Sequence, residues 1–267
     1  MNRSMKTDTP PLGAARTGPQ KWIYALLVCA ALYWSLGNVE YDRERFARGG
    51  TQFAAIARQM FLQPDWSYTP KVLVGIRESI QIAALGTAIA AVLALPFGAL
   101  AARNLSRLAV LPIAGKTLLN LIRTFPELIL AIAFIKALGP GAFAGVLAVG
   151  VHSIGMIGKL YAERIETTDK SALEALTATG ASPLNVFRHG VLPEVLPDFL
   201  SFALYRFDLN VRAAAVLGLV GAGGVGTLLQ LQRLANNWHA IGVILLAIVV
   251  TVGLVDFVSA RLRARLT

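Results

Sequence analysis

From Ser79 to Ala102 the chain runs for 24 residues without a charged side chain, and two similar runs, Trp22–Val39 and Ala137–Gly158, have 18 and 22 residues. A helix that crosses the hydrocarbon core of a bilayer needs about 20 such residues. Inside that core each backbone N–H and C=O must find a partner within the protein, so a continuous apolar run predicts a helix and an alternating one a barrel strand. These runs are continuous. Only 15% of the 267 residues are charged, where soluble domains carry roughly a quarter. The expectation is an all-α integral membrane protein with about six transmembrane helices, near 22–38, 79–102, 118–137, 141–158, 196–220 and 239–258.

The net charge of +10 does not point to nucleic acid, because the basic residues sit beside the spans as the positive-inside rule requires. Arg3, Lys6, Arg16 and Lys21 precede the first run, Arg103, Arg107 and Lys116 follow the second, and Arg261, Arg263 and Arg265 close the chain. Residues 40–70 are balanced in charge. This predicts cytoplasmic termini, with 40–70 outside. The expected organisation is a disordered basic tail over 1–21, a transmembrane domain over 22–260 and a basic C-terminus over 261–267. The first run could be read as a signal peptide with Ser35-Leu36-Gly37 as cleavage site. Its 18 residues exceed the usual signal core and favour an uncleaved anchor. The single Cys29 excludes a disulfide framework, and His152, His189 and His239 lie at no metal-ligand spacing. No metal and no cofactor are expected.

Between the fourth and fifth spans, about 166–195, the spacing predicts two short capped helices on the cytoplasmic face. Ser171 precedes Glu174 at capping-box spacing, Gly180 stands where a helix end wants a left-handed residue, and Ser182-Pro183 opens a second helix that Gly190 stops. Leu192-Pro193 then turns the chain back to the membrane.

Glu174-Ala175-Leu176, Gly180 and Leu192-Pro193 resemble the EAA loop of bacterial ABC-importer permeases, with Leu176 in place of the second alanine and Gly190 in place of an aliphatic residue. "FALYRFDLNVRAAAVLGLVGAGGVG" at 202–226, "PDWS" at 64–67 and "RTFPELILAIAF" at 123–134 resemble the phosphonate-uptake permeases of PhnE type, over about residues 60–260. Asp208 stands where that family is expected to have Glu. The resemblance implies a homodimeric permease subunit, multi-pass in a bacterial inner membrane, and no enzyme. An ABC ATPase subunit would dock on Glu174, Ala175, Gly180, Leu192 and Pro193, and an extracytoplasmic solute-binding protein would deliver a phosphonate-type anion. Phosphite, phosphate or another small solute is the alternative cargo, and an integral-membrane enzyme the more distant one. The chain itself has no G-x-x-x-x-G-K-[ST] phosphate loop.

Arg206, Asp208, Asn210 and Arg212 fall inside the fifth span. Ionisable groups there are costly and face a bundle interior or an aqueous path. Asp208 and Arg212, four apart, share a helix face and can pair, while Arg206 lies on another face and leaves one positive charge unaccounted for, so that Arg206 or Arg212 would supply a cationic station for an oxyanion in the path. The competing reading makes these charges interhelical packing pairs, with Arg77 and Glu78 beside the second span and Arg123 and Glu127 on the third as candidates. Gly221, Gly223 and Gly226 match G-x-G-x-x-G, but residues 240–255 hold no acid to grip a ribose. With Gly224 they are read as an outer gate with accessible N–H groups or as a close-packing seam.

Overall fold

The computed structural model describes residues 19–38, 42–105, 108 and 110–266, and among them every regular element is helical. Most of the expected basic tail, with Arg3, Lys6 and Arg16, lies outside the described residues, as does Arg107. The chain divides into two compact units, Met1–Ala54 and Ala55–Thr267. The first holds α1 (Pro19–Asn38) and most of α2 (Arg43–Leu62). The apolar side chains of α1, among them Trp22, Ile23, Leu26 and Leu27, are exposed.

The second unit continues with α3 (Thr69–Ala101), α4 (Val110–Thr124), α5 (Glu127–Leu138), α6 (Ala142–Glu166), α7 (Lys170–Ala178), α8 (Pro183–Val186), α9 (Leu192–Leu217), α10 (Val225–Leu234) and α11 (Trp238–Arg263). Among the described residues four segments are long and apolar enough to span a membrane: Trp66–Ala101, α6, Leu184–Leu234 and α11. Counting α4 and α5 as one bent pair makes five. The other expected span, 22–38, falls on α1, which is not among these segments; Trp22, Tyr24, Tyr33 and Trp34 dilute its aliphatic content.

α6 is the hub. It packs on α3, α4, α5 and α9, because small residues let backbones approach closely in a membrane helix. A Cβ on Gly86 of α3 would come 2.9 Å from Val149 Cγ1, and one on Gly155 of α6 would come 2.9 Å from Leu119 O. At one end of the bundle the Tyr161 and Phe199 rings stack 3.8 Å apart amid Leu119, Ile157, Ile165 and Val195. At the other end Val72 and Ile76 pack on Val225, Val243 and Ile244.

The structure corrects several expected boundaries. Pro70 sits in the first turn of α3, which starts ten residues before the expected 79. Proline fits there because the first-turn N–H groups have no intrahelical partner. The helix carries Lys71, Arg77 and Glu78 past the end of the apolar run. The single expected span at 118–137 is two helices bent by 80°. Pro126, extended at ψ 137°, has no N–H to continue α4 and disfavours a helical Phe125 before it. The expected basic C-terminus is helical through Arg263.

Candidate functional site: a buried charge cluster, a glycine cleft and the loop before α9

Near the middle of α9, Arg206, Asp208 and Asn210 turn inward and are all buried. Asn210 Nδ2 donates to Thr87 Oγ1 of α3 at 2.8 Å and to Ser153 Oγ of α6 at 3.0 Å. Arg206 Nε donates to the same Ser153 Oγ at 2.9 Å. The sequence reading left Arg206 without a counter-ion. The structure supplies one: Arg206 Nη2 donates to Glu127 Oε1 of α5 at 3.1 Å. The bend at Phe125-Pro126 aims the first turn of α5, and with it Glu127, at α9. Arg206 Nη1 completes its shell on Met156 Sδ at 3.2 Å. His152, beside Ser153 on α6, lies 3.5 Å from Glu127 Oε1 through Nε2 and 3.1 Å from Phe125 O through Nδ1.

Asp208 and Arg212 pair as the i,i+4 spacing predicts, with Arg212 Nη2 donating to Asp208 Oδ2 at 2.6 Å. Their exposures differ: the Arg212 side chain is 48% exposed and that of Asp208 4%. Tyr205 and Val216, on the same stripe of α9, are exposed with Arg212. Two carboxylate oxygens, Glu127 Oε2 and Asp208 Oδ1, are buried without a hydrogen-bond partner. The four charges sum to zero as two pairs. Sequence reasoning missed Thr87, Ser153 and Met156 as members of this cluster. Single polar residues inside apolar helices were the available signal, and it does not say which helices meet.

The glycines after α9 form a tight loop. Gly221, Gly223 and Gly224 have φ of 97°, 84° and 72°, a region L-residues with a Cβ rarely enter. Ser79 Oγ of α3 accepts from Val225 N at 2.9 Å, and Gly141 N donates to Gly221 O at 2.9 Å. The loop thus joins α3 to the Gly139-Pro140-Gly141 hairpin. Between them lies an open cleft of about 560 Å³ whose lining includes Lys71, Glu78, Gly141, Gly223, Gly224 and Thr227. Gly226 belongs to the seam instead, packed against Ala215 O and Gly218.

At the opposite end α6 is tied down by Lys116 Nζ, which donates to Glu166 Oε1 at 2.7 Å, and by Arg164, which binds Asp198 and Glu194 of α9. The loop that follows differs from the expected capping box. The N-cap of α7 is Asp169, whose carboxylate accepts from Ser171 N at 2.9 Å and Ser171 Oγ at 2.7 Å. Those bonds hold its carboxyl below the usual range. Ser171 lies inside the helix, and Glu174 and Ala175 are exposed on its surface. Gly180 has φ 81°, the left-handed conformation its place predicts. Ser182 Oγ accepts from Asn185 N at 3.4 Å and caps α8. Gly190 does not end that helix: residues Phe187–Val191 make a π turn that leads into α9, with Leu192 and Pro193 in its first turn. Leu176, Ala181, Phe187 and Leu192 press this loop onto the Tyr161–Phe199 cluster.

Residues 94–267 match the family described as binding-protein-dependent transport system inner membrane component. The chain is 39% identical over 238 residues to the phosphite transport system permease protein PtxC of Stutzerimonas stutzeri, covering 89% of this chain and 84% of that one. It is 38% identical over 179 residues to the phosphate-import permease protein PhnE of Mycolicibacterium smegmatis, covering 66% of this chain and 34% of that protein. Among solved structures it is similar to a chain of the MetNI methionine ABC transporter, with TM-score 0.68 and 24% identity over 76% of this chain and 99% of that one. An all-helical multi-pass bundle with the family's match over its last two-thirds defines the chain: it belongs to the family of inner-membrane permease components of binding-protein-dependent transport systems.

Proposed function

We propose that this chain is the membrane-spanning subunit of an ABC importer for small phosphorus oxyanions of the phosphonate type, working as a homodimer. The observation that carries the reading is Arg212, a half-exposed guanidinium on a membrane-spanning helix, paired to a buried carboxylate. Lipid does not tolerate such a group, so this face of α9 borders water or a second protein surface. A path between two copies of α9 satisfies that need. A guanidinium also matches oxyanion geometry. Arg206, Asp208 and Asn210 form the buried base of the station, and the cleft beside Gly221, Gly223 and Gly224 is its outer mouth. The relatives' names support the cargo class, since they refer to phosphite, phosphate and phosphonate transport.

The rest of the machine follows from what this chain holds. With no phosphate loop in its sequence, it depends on a separate ATPase subunit. The exposed face of α7 with Glu174 and Ala175, the left-handed turn at Gly180 and the Leu192-Pro193 entry to α9 offer the docking surface. An extracytoplasmic binding protein would meet the opposite end. Arg103, Lys116, Lys159, Arg164 and Arg188 gather at the α7–α8 end, which the positive-inside rule puts in the cytoplasm. PtxC favours phosphite as the second reading of the cargo. Uptake of phosphite, phosphate and methylphosphonate by proteoliposomes holding permease, ATPase and binding protein tests both. Competition by none of the three, with uptake of an unrelated solute, overturns the oxyanion reading.

A further inference from the structure

Glu127 holds Arg206 by a single point. Its Oε1 takes one N–H of the guanidinium at 3.1 Å, while its Oε2 is buried with no partner. Arg206 presents five N–H donors in a planar fork. Here Ser153 Oγ takes one, a carboxylate oxygen takes another, and Nη1 rests on a thioether, a weak acceptor. A tetrahedral oxyanion can place two oxygens on Nη1 and Nη2 at once, the geometry in which guanidinium binding is strongest. It would displace Met156 Sδ and the Glu127 carboxylate together. The helix that carries Glu127 is suited to yield. α5 has 12 residues, meets α4 at an 80° bend, and Ala131 is its buried residue.

A place for the displaced carboxylate already exists. His152 Nε2 faces the same Oε1 at 3.5 Å, while Nδ1 lies 3.1 Å from Phe125 O. A carbonyl only accepts, so Nδ1 carries its hydrogen, and in the neutral ring Nε2 turns a lone pair towards Glu127. That contact becomes a bond only when Nε2 takes a proton. Arg123 from α4, Glu127 from α5 and Arg206 from α9 are the charged groups that face His152, and α3 brings the neutral Thr87 to the cluster.

We propose that Glu127 is the resident counter-ion of Arg206, and that an oxyanion arriving on Arg206 transfers this carboxylate to His152, which binds one proton from water as it does so. One negative charge and one proton enter together. The cluster stays neutral, with Arg206 paired to the oxyanion and the imidazolium to Glu127. This inference rests on reading Arg206 as a station in the path, and it adds an anion gate with a proton requirement.

The test is the pH dependence of KM for methylphosphonate and phosphite uptake in proteoliposomes of the full complex. Wild type is compared with His152→Gln and Glu127→Gln at equal assembled amounts. Each comparison uses one substrate, so the substrate's own ionisation is common to both proteins. A glutamine amide at 152 can donate to Glu127 without a proton. The expected result is that KM of the wild type rises on the alkaline side about tenfold per pH unit more steeply than that of His152→Gln, the slope that one linked proton imposes. Glu127→Gln should lose the same extra slope and lower KM several-fold, since no resident anion competes. If His152→Gln fails to assemble, Glu127→Gln carries the test. Wild-type slopes in either assembled variant overturn the inference. A neutral double variant, Glu127→Gln with Arg206→Gln, separates this from failure of the underlying reading. Normal KM in that double variant removes Arg206 from the path altogether, whereas lost uptake with unchanged slopes in the single variants removes only the carboxylate transfer.

Discussion

Arg206 and Glu127 lie 79 residues apart in the chain and 3.1 Å apart in the fold. Their pairing links α9 to the first turn of α5 and depends on the bend at Phe125-Pro126. Arg206→Gln alone should leave the Glu127 carboxylate without its counter-ion, at a cost of about 3 kcal/mol. The double variant Glu127→Gln with Arg206→Gln should recover most of that loss. Thermal unfolding of the purified permease measures it. Equal midpoints for the single variant and the wild type would mean that the pair contributes nothing to the fold.

Arg212→Gln should behave differently, because the residue is half exposed while its partner is buried. Asp208 is then a buried carboxylate without its counter-ion, beside the space that Arg212 vacates on the exposed side of α9. Uptake should drop at least tenfold with assembly near normal. Uptake rates alongside the yield of complex on size exclusion check this, and unimpaired uptake would remove Arg212 from the path.

Gly180→Val should damage coupling and spare the membrane bundle. A Cβ there meets nothing within 4 Å, so the penalty comes from the left-handed backbone alone, roughly 1–2 kcal/mol. Substrate-stimulated ATP hydrolysis and uptake should fall together, with capture of the ATPase subunit weakened. Normal values in both assays would show that this turn is not the coupling element.

Asp169 gives α7 a pH-dependent start. The Ser171 hydrogen bonds hold its carboxyl below the usual aspartate range, so the stabilisation is present above that range and is lost as pH falls through the lowered folded value. At neutral pH the cap is fully formed. Asp169→Asn, which keeps an acceptor oxygen, should retain coupling near wild type, and Asp169→Ala should reduce it. Identical ATPase stimulation in the alanine variant would argue against a role for the cap.

In the glycine loop the three left-handed positions should rank by their neighbours. A Cβ on Gly224 would overlap Ser79 Oγ, and one on Gly223 would come 2.8 Å from Ala142 N, while Gly221 meets only Pro140 Cβ at 3.7 Å. Alanine at 224 or 223 should therefore lower the unfolding midpoint more than alanine at 221. The reverse order would show that packing against α3 and α6 does not shape the cleft.

The oriented reading of the bundle has its own check. A cysteine replacing Trp66, which is 63% exposed, in a chain lacking Cys29 should react with a membrane-impermeant thiol reagent from outside whole cells. A reporter fused after Thr267 should stay in the cytoplasm. Opposite results would invert the topology.

The amino-acid sequence by itself determined that the chain is a helical membrane protein, because hydrocarbon leaves the backbone no partner but its own helix, and runs such as Ser79–Ala102 say so without context. It also determined local features within one or two turns: the Asp208–Arg212 pair, set by helical periodicity, and the left-handed turn at Gly180, set by the absence of a Cβ. Tertiary structure decided the rest. Ser171 and Asp169 can both cap a helix, and the loop's packing through Leu176, Phe187 and Leu192 selects the turn that Asp169 starts. Phe125-Pro126 sits within an apolar stretch long enough to span, so only the packing of α4 and α5 on α6 shows that the chain bends there. Glu127 becomes the partner of Arg206, beside Ser153 and His152, because that bend and the small-residue surface of α6 bring three helices to one point. Such contacts join residues with no fixed spacing between them, and nothing periodic in the sequence can encode them.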